Sequence, residues 1–227
     1  MKWSDFFTSS VGKKLIMSLS GLFLVAFLVV HVGLNACIWA MDGGVMFNKA
    51  AHFMGQNVVP RVLEIGLFAF FLLHIIQGLV LEFQNRAKRK KGYQVKMGSK
   101  GSAWYKKSMG LLGTLILLFL IMHIAHFWVP SRITGLEEYT DNGTLYHDLF
   151  GRMRDVFTDN IPVVILYVLG CISLAWHLLH GFQSAFRTLG LSNHKYISLI
   201  NATGVGFSVI VPLAFAMMPV SFYLGWV

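Results

Sequence analysis

Six histidines fall inside long apolar runs of this sequence: His31, His74, His123, His126, His177 and His180. A lone imidazole in such a run reads well as a hydrogen bond between two helices. Four separate runs each carrying one is a different matter, because an ionisable group at membrane depth is a functional candidate by default. Imidazole in this setting suits three chemistries: iron ligation, proton relay, or a metal centre built from H-x-x-H pairs.

The elements that must position these rings are membrane helices. The chain has 227 residues, 56% hydrophobic and 13% charged, with a mean hydropathy of +0.62. That composition belongs to the membrane class, and the length suits one bundle rather than several domains. At roughly 1.5 Å per residue, five stretches can cross a bilayer. They run over residues 15–39, 58–83, 109–128, 161–186 and 197–222. The second holds Glu64, and the fifth holds Gly204, Gly206 and Pro212. The expected fold is an all-α integral membrane bundle of five helices, the first four enclosing the histidines.

Charge sets the orientation. The formal net charge is +9, but the basic residues gather between spans, so nucleic acid is excluded as the partner. Of the 19 Lys and Arg, fourteen lie before span one, between spans two and three, or after span four. The other five are Lys49, Arg61, Arg132, Arg152 and Arg154. The excess places the N-terminus in the cytoplasm and the C-terminus in the periplasm. The outer loop from Val129 to Asn160 is acidic, and a short surface helix is expected around Leu145–Phe157. Trp39, Trp104 and Trp128 sit where interfacial aromatics belong. The first apolar run is long enough to span, so the chain reads as one without a cleavable signal peptide. Cys37 and Cys171 read as small buried hydrophobes, and no C-x-x-C-H occurs, which excludes covalent c-type haem.

Depth then sorts the histidines. His31 lies sixteen residues into span one, roughly 24 Å from its inner end. His123 lies about fourteen residues into span three, which starts on the same side. Spans two and four run the other way, which puts His74 and His180 in the inner half. Two pairs result at two depths: an outer pair, His31 with His123, and an inner pair, His74 with His180. His177, one turn from His180, competes for the inner position. Facing imidazoles across a bundle are the arrangement that cages a low-spin b haem, so two haems are expected.

Glycines add a second regularity. Gly21, Gly113 and Gly170 each stand ten residues before His31, His123 and His180. Ten residues is roughly 15 Å, which carries each glycine to the depth of the other pair. Glycine there leaves room for the edge of a flat macrocycle; ordinary close helix packing is the other reading. On span two the equivalent position is Glu64, which reads either as a proton or quinone residue or as a carboxylate paired with Arg61. Haem propionates want cations and hydroxyls; Arg187, Ser18, Lys13, Lys14, Lys106 and Lys107 are inner-side candidates. His52, His147 and His194 lie in loops and are expected to be solvated.

Two passages carry a family resemblance. The run His180-Gly181-Phe182-Gln183-Ser184-Ala185-Phe186-Arg187-Thr188-Leu189-Gly190 resembles the H-G-x-x-S-A-x-x-T-L-G signature of succinate dehydrogenase cytochrome b subunits. With Gly21-Leu22-Phe23-Leu24 leading to His31, the whole chain looks like the single-chain, five-helix, two-haem anchor of bacterial succinate:quinone oxidoreductases. The resemblance implies cytoplasmic flavoprotein and iron–sulfur partners and the bacterial cytoplasmic membrane. It also implies a membrane quinone, usually menaquinone, and His180 as the inner ligand. Some fumarate reductases of this type carry a glutamate two residues before that histidine; here the residue is Leu178.

Three other readings compete. A cytochrome b anchor of a hydrogenase or formate dehydrogenase faces a periplasmic partner, against the charge distribution found here. A membrane di-iron oxygenase needs converging H-x-x-H boxes, but His123/His126 and His177/His180 fall in opposite halves. A transporter with histidine relays predicts no haem.

Overall fold

A computed structural model describes residues 9–88, 108–191, 193 and 195–227. The architecture is helical, with one small hairpin. Helix α1 runs Ser10–Asn35 and tightens into a 3-10 turn over Ala36–Ala40. Ser9 caps it by accepting from the Gly12 N–H at 3.0 Å, which satisfies one of the orphan donors of the first turn. A short helix, α2, covers Val45–Gln56, and α3 covers Val58–Lys88. Helix α4 runs Met109–His123 and continues through two π-helical segments, Ile124–Trp128 and Pro130–Thr134. Pro130 has no N–H to give an α-helical ladder, and the wider π turns carry the chain past it.

Strands β1 (Glu138–Asp141) and β2 (Thr144–His147) pair antiparallel across an Asn142-Gly143 turn. Both turn residues have positive φ, 49° and 78°, as a two-residue hairpin of this hand requires. Helix α5 covers Leu149–Phe157, α6 covers Ile161–Thr188 and α7 covers Ile197–Tyr223.

Five helices are long and apolar enough to cross a membrane: Val11–Ala40, Val58–Gln84, Met109–Thr134, Ile161–Thr188 and Ile197–Tyr223. Their side chains stay largely uncovered, as lipid-facing surface should. The chain is a multi-pass membrane protein. All five expected spans are present, and the first and third, Val11–Ala40 and Met109–Thr134 with their 3-10 and π-helical segments, run several residues longer than composition indicated. The hairpin and α2 are the elements the sequence reading lacked. The expected surface helix begins at Leu149, because residues 144–147 are taken by β2.

Packing closes a ring of four. Helix α1 lies against α3 and α6, and α4 lies against α6 and α3, while α7 rests chiefly on α6. The densest core sits at one end, hereafter the capped end. There Ile38, Phe47, Phe150, Phe157, Tyr167 and Phe222 pack beneath α2 and α5. Asn48, 3% exposed, ties this cap together. Its amide donates to Asp148 at 2.9 Å, and its oxygen accepts from the Phe150 N–H at 2.9 Å. Gly44 starts α2 at φ +88°, with the Phe150 ring occupying the place of any Cβ. The other end carries Lys14 and Arg187 and is called the basic end below.

Candidate functional site

The rings meet in two places. His31 of α1 and His123 of α4 face each other with centroids 5.8 Å apart and planes at 89°. His74 of α3 and His177 of α6 do the same at 6.2 Å and 70°. Each pair joins helices diagonally opposed in the ring of four, so both lie on the bundle axis. Gly21 and Ser20 of α1 stand beside His74, ten or eleven residues before His31. The two pairs are therefore separated along the axis by roughly 15 Å.

His180, expected opposite His74 from the resemblance, is not brought there. An i to i+3 step turns the side chain about 60° around α6, and His180 lines a cleft at the basic end with Lys14 and Arg187. Depth places His177 and His180 within one turn of each other, so only the helix phase separates them. Two residues before His177 stands Ala175, which like Leu178 carries no carboxyl.

Neighbouring groups fix the rings. The Asn35 side-chain nitrogen lies 3.3 Å from His31 Nδ1, and Ser20 Oγ lies 3.2 Å from His74 Nδ1. Ser20 Oγ gives its own proton to the Met17 carbonyl at 3.2 Å, so it can accept from His74 Nδ1–H and leave Nε2 as the ligating nitrogen. The Asn35 amide, a donor that also bonds the His31 carbonyl at 2.8 Å, fixes the position of the His31 ring without setting that tautomer. His123 and His177 each bury an Nδ1 that has no hydrogen-bond partner among the described residues. Gln77 and Asn201, away from the pairs, also bury a polar atom without a partner among the described residues, so these orphans do not by themselves single out the pairs.

The glycines divide. A Cβ on Gly21 would meet His74 Cε1 at 3.3 Å, and one on Gly113 would meet His177 Cε1 at 4.0 Å. These two helices thus approach the inner pair with bare backbone, as the ten-residue spacing anticipated. Gly170 accommodates a different group, the ring of Phe119, which would lie 2.5 Å from an added Cβ. Phe119 in turn stacks on His123 at 5.7 Å. Ser18 is buried and donates to the Lys14 carbonyl at 2.9 Å, one turn back along its own helix.

Glu64 is fully engaged. One oxygen accepts from Trp128 Nε1 at 2.6 Å and Arg132 Nε at 3.3 Å; the other accepts from Arg61 at 2.8 Å and Arg132 at 3.4 Å. The carboxylate joins α3 to the π-helical end of α4. His126 lies outside both pairs; its Nδ1 is 3.0 Å from the Tyr167 hydroxyl, and its carbonyl accepts from Arg152 at 3.0 Å. Sequence reading missed Tyr167, because its partner is 41 residues away and no local signal announces it. Of the histidines expected in loops, His52 lies in α2 and packs on Tyr146 at 4.8 Å, and His147 ends β2, 3.1 Å from Glu138. His194 and the basic residues from Arg89 to Lys107 lie outside the described residues.

Among the described residues, no group of three or more His, Cys, Asp or Glu side chains converges on one point. The histidines come together in twos, as a porphyrin iron with two axial ligands requires and a di-iron cluster does not. Comparison of the chain with protein-family models, with curated proteins and with solved structures finds no match.

Proposed function

We propose that this chain is a dihaem cytochrome b and the membrane anchor of a succinate:quinone oxidoreductase, linking a cytoplasmic iron–sulfur subunit to a membrane quinone. The observation that carries the reading is the pair of imidazole couples on the bundle axis, at 5.8 and 6.2 Å. His31 and His123 hold the outer iron. His74 and His177 hold the inner one; here the facing rings are preferred to His180, the ligand implied by the resemblance. A b haem supplies reversible one-electron exchange when bound.

The chain's own residues supply the rest. Asn35 and Ser20 orient His31 and His74, Gly21 and Gly113 leave space beside the inner couple, and the apolar spans keep water from both sites. Arg187 and Lys14 supply positive charge at the basic end, which the distribution of lysine and arginine assigns to the cytoplasm. That same side is where flavoprotein and iron–sulfur partners dock in this reading. The quinone, menaquinone in most bacterial relatives of this kind, enters from the bilayer. Glu64 serves as a structural tie, since its four hydrogen bonds leave it no free acceptor aimed at a ligand.

The test is spectroscopic. Protein purified after expression with adequate haem supply should show a b-type reduced spectrum, with two haems per chain. Colourless, iron-free protein that retains its helical content overturns the reading.

A further inference from the structure

At the basic end, α1 and α6 diverge around a cleft of about 420 Å³ lined by Val11, Lys14, His180, Gln183, Ser184, Arg187 and Thr188. We propose that this cleft binds the phosphate of one anionic phospholipid between Lys14 and Arg187. The inference rests on the chain spanning a membrane and is independent of the haem reading.

Three observations carry it. First, the cleft holds fixed positive charge with nothing to neutralise it: neither Lys14 nor Arg187 has an ion-pair partner among the described residues. The sequence offers little else. Of the ten acidic residues, only Asp5 and Glu82 belong to this side, and Glu82 is bound to Arg86 at 2.6 Å. Among the described residues, no carboxylate pairs with the two cations of the cleft. Second, the lining suits phosphate. A guanidinium and an ammonium stand with the hydroxyl of Ser184 and the amide of Gln183, so charge-assisted and neutral donors share one space, while the Thr188 hydroxyl gives its proton to the Ser184 carbonyl at 2.9 Å. Third, the cleft is continuous with lipid-facing surface. Leu169, Ile172 and Trp176 are exposed along α6 at 53%, 48% and 40%. Their spacing of three and four residues continues to Gln183 and Arg187, so one stripe of the helix runs from apolar to cationic. A headgroup in the cleft lays its acyl chains along that stripe. A free phosphate uses only the first two features, whereas a lipid uses all three.

The experiment uses the full chain in a neutral detergent, with phosphatidylglycerol as the probe. Native mass spectrometry and thermal unfolding are read with added phosphatidylglycerol, phosphatidylcholine or inorganic phosphate. Wild-type protein should retain one phosphatidylglycerol and unfold at a higher temperature with it, and should respond to neither phosphatidylcholine nor inorganic phosphate. Lys14→Gln/Arg187→Gln should bind it about tenfold more weakly or worse, while Lys14→Arg/Arg187→Lys should retain it. Lys13→Gln/Lys195→Gln removes the same charge from the same side outside the cleft lining and should change little. Equal weakening by both glutamine pairs reduces the effect to general surface charge and overturns the site. So does an equal response to inorganic phosphate. Full lipid retention by Lys14→Gln/Arg187→Gln with loss of haem overturns it too, by giving the cleft to a haem carboxylate.

Discussion

At the capped end, His31 and His123 are enclosed by aromatic rings. Phe27 and Phe215 lie 5.1 and 5.4 Å from His31, and Phe119 and Phe127 lie 5.7 and 5.4 Å from His123. At the basic end, His74 and His177 have glycine backbone beside them on α1 and α4, and a polar cleft beyond. The same pair of side chains is thus set once in a dense aromatic shell and once in an open, partly polar one. The difference follows from where the chain spends its large residues. The capped end must also bury α2 and α5, which brings Phe47, Phe150 and Phe157 to the same region. On the dihaem reading proposed above, an axial pair surrounded by rigid rings would have a different reduction potential from one near cations, because burial and nearby charge both set the iron's balance of charge states.

The largest expected effect breaks the inner couple. His177→Ala should remove one of the two haems while leaving the other, and His180→Ala should leave both. Pyridine haemochrome content per chain checks this, and loss of a haem from His180→Ala with none from His177→Ala returns the ligand role to His180. The next effect probes the space rather than the ligands. Gly21→Leu should block inner haem incorporation, since even a Cβ there already sits 3.3 Å from the His74 ring. Gly113→Ala should be tolerated with its contact at 4.0 Å. At the capped end, Gly170→Ala presses on the Phe119 ring. That ring has little room to move, so a loss of about 1–3 kcal/mol is expected from overpacking, read as thermal unfolding in detergent. Equal behaviour of Gly113→Ala and Gly170→Ala would erase the contrast between the two ends.

Much of this was legible in the sequence, for physical reasons that differ by feature. A membrane span must be long, apolar and internally hydrogen-bonded, so its length and composition announce it. All five were readable. Depth follows from rise per residue, which is why His31 with His123, and His74 with the H-x-x-H pair of α6, could be set at two levels before any fold was known. Choosing between His177 and His180 needed helix phase relative to a neighbour, which depth arithmetic lacks. The small elements of the cap were illegible for another reason. Helix α2 is short and only moderately apolar, and the hairpin depends on a turn whose Asn142-Gly143 signal lies in an acidic loop where only a short helix is expected. The Tyr167–His126 and Asn48–Asp148 bonds join residues 41 and 100 positions apart, beyond any local pattern.

The cap itself offers a buried and an exposed tie to compare. Asn48 is 3% exposed and satisfies both Asp148 and the Phe150 N–H. Asn48→Ala leaves the buried Phe150 N–H unpaired and removes one of the two donors to Asp148 Oδ1, the other being the Gly151 N–H, at a cost of about 1–3 kcal/mol, measurable as a lowered unfolding temperature. The hairpin is held to α2 by a second bond, Lys49 Nζ to Asp141 at 2.9 Å, on the surface. The hydrogen bond that Lys49 donates to Asp141, and then the negative charge of that carboxylate, raise the Lys49 pKa above the ordinary lysine value. A raised folded-state pKa means the tie is fully present below the unfolded lysine value of roughly 10.4 and is lost as pH rises through the higher folded value. Water competes for both partners throughout, and salt screens them. Lys49→Ala should therefore shift the unfolding temperature far less than Asn48→Ala at neutral pH, and the shift should shrink further in high salt. If Lys49→Ala instead matched Asn48→Ala, the hairpin would be carrying the cap, and the dense core beneath α2 and α5 would not be what closes the capped end.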